Sequence, residues 1–342
     1  MNFRIAIHNR PGSFSDRWIE YCSEHKLSYK VVNCYDSDIV AQVKGVKVLL
    51  WHWSHYEYAA QLVARQIIQS LEKMGIKVFP NISTCWHYDD KVGQKYLLES
   101  IGAPLAPSYV FFDKFKAMEW IDKTEFPKVF KLRSGAGSQN VMLIKTKREA
   151  RKLCRKSFGS GFTPISGYFA DVKTKSRRIR TRAQFMEKVK RMPSSLANVI
   201  AARRLFPKQN GYIYFQDFVP GNKFDTRITI IGDRAFGFTR NTRPNDFRAS
   251  GSGDIDYNLD KIDERFVKVA FNAAKTIKAQ SLAFDFLFDE EKNPIIVEIS
   301  YCYQNKAVYD CPGYWDHELN WHEGHMWPED AIIEDLLNEI SS

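Results

Sequence analysis

Two apolar runs late in the chain each carry one carboxylate. They are Ala283-Phe284-Asp285-Phe286-Leu287-Phe288 and Pro294-Ile295-Ile296-Val297-Glu298-Ile299-Ser300, separated by the turn-forming Asp289-Glu290-Glu291-Lys292-Asn293. The pattern predicts a hairpin of two strands, each with an acid among buried residues. Burying an unpaired carboxylate costs several kcal/mol, and two on neighbouring strands repel. A hard cation between them resolves both problems, and Mg²⁺ typically takes one or two carboxylates together with phosphate oxygens. An arginine partner for each acid would resolve them equally well.

A second group of residues points to phosphate. The run Lys128-Val129-Phe130-Lys131 reads as a strand, followed by the small-residue loop Ser134-Gly135-Ala136-Gly137-Ser138 and then by Val141–Ile144. Small residues let backbone N–H groups approach phosphate oxygens, and Lys131 adds a point charge. A strand follows this loop, which excludes the dinucleotide-binding glycine fingerprint, and no Gly-Lys-Ser/Thr follows, which excludes a P-loop. A plain hairpin turn is the alternative. Two more stretches stand out: Gln216-Asp217-Phe218-Val219 followed by Asp225-Thr226-Arg227, and Asp90-Lys91 at the start of a helix.

The elements that must hold these residues follow from periodicity. Residues 3–8, 29–33, 46–51 and 76–79 read as strands, alternating with helices that begin near Ser13 and span Tyr58–Met74, the latter stopped by Gly75. Such alternation predicts a small parallel α/β lobe. Further on, Phe224–Ile231 and Arg234–Thr239 read as antiparallel strands, Phe266–Lys278 as a helix, and Pro328–Ile340 as a last amphipathic helix. The predicted organisation is an N-terminal lobe over 1–88, a central lid segment over 89–215 and a C-terminal subdomain over 216–342.

Together, in this order, the motifs over roughly 81–300 resemble the ATP-grasp superfamily, in particular its branch with ribosomal-protein glutamate ligase, glutathione synthetase and D-alanine–D-alanine ligase. The resemblance implies a mixed α/β and α+β class, an ATP-grasp fold preceded by a parallel α/β lobe. It implies ATP with Mg²⁺, or Mn²⁺ as substitute. Lys91 and Lys131 would reach the nucleotide, with Ser134, Gly135, Ala136, Gly137 and Ser138 as the phosphate loop. Gln216, Asp217, Phe218 and Val219 would hold adenine, and Asp225 the ribose. Arg227 and Arg248 would neutralise charge on the transferred phosphoryl group, and Asp285, Glu298 and Ser300 would bind metal. The family carries Asn where this chain has Ser300, and again where it has Ser250. The implied activity joins a carboxylate to an amine through an acylphosphate. A phosphotransferase on the same fold and a non-catalytic binder of an anionic polymer are the rival expectations.

Composition bounds the partners. The 342 residues are 44% hydrophobic and carry a net charge of +10. Residues 145–212 hold 19 Lys and Arg against 3 Asp and Glu, a surplus of 16, so the remainder carries −6. This predicts an anionic partner for one segment, either a small molecule or a saccharide. Nucleic acid is disfavoured, because few aromatic residues interleave with the charges. No apolar run approaches the ~20 residues that span a bilayer, the first residues do not form a secretory signal, and six scattered cysteines suit a reduced cytoplasmic setting. A homodimer is compatible with all of this. The stretch from Cys311 to Trp327 is rich in Trp, His and acids. It admits packing, a sugar-stacking surface, or zinc ligands from Cys311, His317, His322 and His325. The loop Asn9–Ser15, with His52 and His55, follows strands at their carboxyl ends, where ligands of α/β sheets bind.

Overall fold

The computed structural model describes residues 4–135, 140–163, 207–242, 246, 248–249 and 253–341. They fall into two compact units. One comprises Met1–Tyr88, Tyr96–Leu105 and Gly221–Ser342, the other Asp89–Lys95 and Ala106–Pro220.

The first unit opens with strands β1 (Ile5–His8), β2 (Tyr29–Val32), β3 (Val48–Leu50) and β4 (Lys77–Phe79), all parallel in the order β2-β1-β3-β4. The helix Phe14–Glu24 follows β1. Ser13 caps it by accepting from the Ser15 N–H, and Phe14, Trp18 and Cys22, one turn apart, go into the core. The helix Tyr58–Lys73 buries Ala60, Ala64, Ile68 and Leu71 at the same spacing. The chain then leaves through Gly75 at φ +79°, a conformation glycine adopts without penalty.

The second unit is built on an antiparallel sheet of β5 (Ser108–Phe111), β6 (Lys128–Lys131), β7 (Val141–Ile144) and β8 (Ile213–Asp217), in the order β5-β8-β6-β7. The helices Lys114–Lys123 and Lys147–Ser157 pack on it through Ala117, Ile121, Ala150 and Cys154, against Phe130 and Phe215. A capping box at Thr146 and Glu149 starts the latter helix. Most of the basic surplus, together with Ala136, Gly137, Ser138 and Ser250, lies outside the described residues.

The chain re-enters the first unit to form its large sheet. The strands are β9 (Phe224–Ile231), β10 (Arg234–Asn241), β11 (Ile255–Asp256), β12 (Ser281–Phe288), β13 (Pro294–Ser300), β14 (Gly313–Trp315) and β15 (Trp321–Glu323). Their order is β13-β12-β9-β10-β14-β15, with β11 beside β10. The helix Glu264–Ile277 lies against this sheet through Phe266, Ala270 and Ala274. One continuous apolar core joins both sheets of the unit: Trp18, Trp51, Phe79 and Tyr301 pack in the same cluster as Phe236 and Phe266.

The Trp/His-rich stretch forms the β14–β15 hairpin. Gly313 is required there, because a Cβ would meet the His322 carbonyl oxygen at 2.1 Å. Trp315 is buried edge-on against Trp321, with centroids 4.7 Å apart, and Trp327 stacks on Tyr309 at 4.1 Å. The indoles are therefore packing groups. The suggested zinc ligands do not come together: the Cys311 thiol is buried against the Gly237 and Ala307 carbonyls, His322 pairs with Asp316, and the Nδ1 of His325 bonds the Tyr309 carbonyl. Among the described residues no cluster of three His, Cys, Asp or Glu could hold a metal.

Candidate functional site: an ion-pair face and two lysine anchors

Register decides which side chains share a face of the large sheet. Arg227 on β9 lies opposite both Phe238 on β10 and Asp285 on β12, and Asp285 lies opposite Glu298 on β13. One pleat along, Asp225 opposes Arg240. On the other side of that row, Thr229, Ala283 and Ser300 align across three strands. Residues directly opposite, or two apart on one strand, project to the same face. Asp225, Arg227, Arg240, Asp285, Glu298 and Ser300 therefore stand on one surface. A bulge makes this so: the pairing skips Val297, going from Asp285 opposite Glu298 to Phe286 opposite Ile296.

The charges on this face are tied together. Arg227 grips Asp285 with two parallel bonds, Nε to Oδ1 at 2.7 Å and an NH2 donor to Oδ2 at 2.8 Å. Arg240 grips Asp225 in the same bidentate manner at 2.7 and 2.6 Å and reaches Asp285 Oδ2 at 2.8 Å. The two acids differ in consequence. Burial works against ionisation of Asp285, but two guanidinium groups outweigh it and hold the carboxyl well below its ordinary range. Asp225 is also buried and has Arg240 as its main partner, so burial wins and its proton affinity rises. Ser300 is engaged locally, its hydroxyl donating to the Cys302 carbonyl at 3.2 Å. Arg248 pairs with Asp246.

Arg240 is a candidate site residue that the local sequence pattern does not single out. The predicted strand stopped at Thr239, two residues short of the observed β10. Extending the alternation of Phe236 and Phe238 by one step would have put an arginine opposite Asp225.

The second unit holds the lysines. Lys131, at the end of β6, is 8% exposed and donates to Gln216 Oε1 at 2.6 Å. The Gln216 amide in turn donates to the Ser108 hydroxyl at 3.1 Å, which also accepts from Tyr214. Asp217 closes β8 with its carboxylate on Lys128 at 2.6 Å. Lys91, 5% exposed, donates to the Gly135 carbonyl at 2.7 Å, while the Gly135 N–H donates to Asp89 at 2.7 Å. The entrance to the glycine loop is thus anchored from both sides by the Asp89–Lys91 segment. Ser134 bonds Gln209. Phe218 and Val219 follow β8 and are half-buried.

This architecture is the ATP-grasp fold. Residues 189–310 match the model of the RimK-like ATP-grasp domain. Among solved structures, D-alanine–D-alanine ligase from Bacillus anthracis, complexed with ATP, is similar over 100% of this chain and 99% of its own, at 12% identity and a TM-score of 0.58. The RimK domain ATP-grasp protein from Sphaerobacter thermophilus gives 98% and 99% coverage, 12% identity and 0.58. The biotin carboxylase domain of 2-oxoglutarate carboxylase from Hydrogenobacter thermophilus, in complex with MgADP and bicarbonate, gives 97% and 69%, 13% and 0.59. Comparison with curated protein sequences finds no significant match. No helix among the described residues is long and apolar enough to cross a membrane.

Proposed function

We propose that this chain is an ATP-dependent ligase that joins a carboxylate to an amine. The observation that carries the reading is the direct opposition of Asp285 and Glu298 on β12 and β13, on a face shared with Arg227 and Arg240. Three oxygen-bearing side chains, Asp285, Glu298 and Ser300, are the donor set of a hard divalent cation. An ionised carboxylate has lone pairs beyond those its arginines use. The residues therefore fit Mg²⁺, which when bound would neutralise phosphate charge.

The chain's own residues have these roles. Lys131 and Lys91 hold nucleotide phosphates together with Ser134 and Gly135, and Gln216 to Val219 with Asp225 hold the nucleoside. A substrate carboxylate oxygen attacks the γ-phosphorus, and the bond to the β-phosphate oxygen breaks, releasing ADP. Arg227, Arg240 and Arg248 neutralise the charge that builds on the transferred group. The amine then attacks the acyl carbon, the carbon–oxygen bond to phosphate breaks, and the amine proton leaves to solvent. Excluding water protects the acylphosphate until then. The basic segment 145–212 favours an anionic acceptor, and a cell-surface saccharide substrate handled in the cytoplasm is the finer form of the proposal.

The test is an ADP-release screen crossing amino acids with sugar acids, with hydroxylamine as trap. A hydroxamate supports the ligase. A stable phosphorylated product would identify a phosphotransferase instead. Absence of any Mg–ATP thermal shift would leave only a binding role. Lys131→Ala is expected to lower kcat/KM at least ~100-fold, in line with loss of a positioned charge at a transferring phosphoryl group.

A further inference from the structure

The large sheet has a cleft at the end of the β9–β10 hairpin opposite the ion-pair face. From Asp225 opposite Arg240 to Ile231 opposite Arg234 is six residues along the strand, or ~20 Å at about 3.4 Å per residue. There a cavity of about 1050 Å³ opens within the first unit. The β9–β10 turn, the start of β4, the β14–β15 hairpin and the last two turns of the helix Pro328–Glu339 form its walls.

These walls are built to fixed positions. Gly232, at φ +54°, brings the turn so close to the C-terminal helix that a Cβ would lie 2.2 Å from the Asp335 carboxylate. Arg234 donates to both oxygens of Asp335 at 3.0 and 3.1 Å. Across the cleft Asp316 ties up its own loop, accepting from the N–H groups of Glu318 and Asn320 and from Asn320 Nδ2. It also holds His322 Nε2 at 2.8 Å. The His322 imidazole then lies flat against Tyr314, at 5.0 Å and 18°. Asp316, His322 and Tyr314 belong to the stretch whose indoles are consumed by packing, and all three line the cleft.

Charge indicates the class of ligand. Lys77, Arg234 and Lys278 face Asp233, Asp316, Asp335 and Glu339. Lys77 and Glu339 pair at 2.9 Å, and Arg234 pairs with Asp335. The lining is close to neutral, so it attracts neither a polyanion nor a polycation. It offers paired acceptors and donors side by side, which suits vicinal hydroxyls, since each hydroxyl both gives and takes a hydrogen bond. The Tyr314–His322 stack supplies an aromatic wall. The volume lies at the upper end of small-molecule sites, about 300–1,000 Å³, so it accommodates more than one sugar ring. We infer that this cleft, framed by Tyr314, Asp316, His322, Arg234 and Asp335, binds a neutral oligosaccharide. The inference goes beyond the ligase reading and does not depend on it.

The test uses the full chain and a panel of neutral oligosaccharides with gluco-, galacto-, manno- and N-acetylhexosamine linkages. Saturation-transfer NMR detects binding, and calorimetry gives Kd. At least one sugar is expected to bind, with Tyr314→Ala and Asp335→Asn each raising Kd at least tenfold. The Mg–ATP thermal shift of both variants should match the unsubstituted chain, which keeps failure here distinct from failure of the ligase reading. No binding by any member of the panel overturns the inference. So does binding that both variants retain, and so does displacement of the sugar by free amino acids at equal concentration, which would assign the cleft to a zwitterion.

Discussion

The two ends of the β9–β10 hairpin use the same ingredients to opposite ends. At one, Asp225 and Asp285 meet Arg227 and Arg240; at the other, Asp335 meets Arg234. Asp285 is 4% exposed and Arg240 6%, whereas the side chains of Arg234 and Asp335 keep 20% and 30% of their surface in water. Buried charges must be fully partnered, because each one left alone is penalised heavily. Partly exposed pairs gain less, because water competes for both partners. The first end is therefore a fixed electrostatic frame, and the second a lining that a ligand can address without dismantling the fold. A fourth carboxyl completes the contrast. Glu329 is wholly buried, its Oε1 accepts from Asn305 at 2.6 Å, and its Oε2 has no partner among the described residues. Burial pushes its pKa up to about 7. Two arginines separate the behaviour of Asp285 from that of Glu329.

The largest effect should come from Asp285→Ala. It leaves Arg227 and Arg240 facing each other in a buried site, a loss of about 3–5 kcal/mol, read from urea unfolding. A loss below ~1 kcal/mol would erase the distinction between the two ends. Arg240→Lys keeps the charge but gives up the fork that holds Asp225, and about 1.5–3 kcal/mol should go with it. Equal stability would mean that charge alone holds the face.

Glu329→Gln should act in the other direction, and only at high pH. A carboxyl whose folded pKa lies above its unfolded value favours the native state when protonated. Its cost appears as pH rises above the unfolded value of 4.5 and is complete beyond about 7. The substitution should therefore add on the order of 1–2 kcal/mol at pH 8 and nothing at pH 4. A gain that is the same at both pH values would show packing rather than ionisation at work. His52 and His87 bend the same curve from the acid side. Burial lowers them to about 3 and about 4, so stability falls as pH drops below ~6.5. A thermal melt series should peak near that pH. Smallest of all, a Lys77→Ala and Glu339→Ala double-mutant cycle should give a coupling under ~0.5 kcal/mol that vanishes in high salt. These partners are about half exposed.

The sequence made some of this legible and hid the rest for physical reasons. The hairpin of β12 and β13 could be read because each strand is a long apolar run with a turn between. The parallel lobe could be read because its helices carry clean one-turn spacing. The hairpin of β14 and β15 could not. Its strands are three residues long, and its turn is set by Asp316 and by Leu319 at φ +68°, neither a glycine nor a proline. Nor could the reading tell an arginine partner from a metal for Asp285. Its arginine partners, Arg227 and Arg240, sit on two other strands, and pairing across a sheet is not written in local pattern.

The bulge at Val297 fixes a parity. In an unbroken register Val297 would oppose Asp285, and Glu298 would project through the sheet to the face that the helix Glu264–Ile277 covers. One additional residue shifts the phase of everything after it, so the second acid of the site exists by a count rather than by a contact. Deleting Val297 would remove the bulge and leave Glu298 opposite Asp285, whereas straightening the strand with Val297 kept in place would dissolve the pair. The spacing of strand residues is in that sense as much a component of the site as any carboxylate.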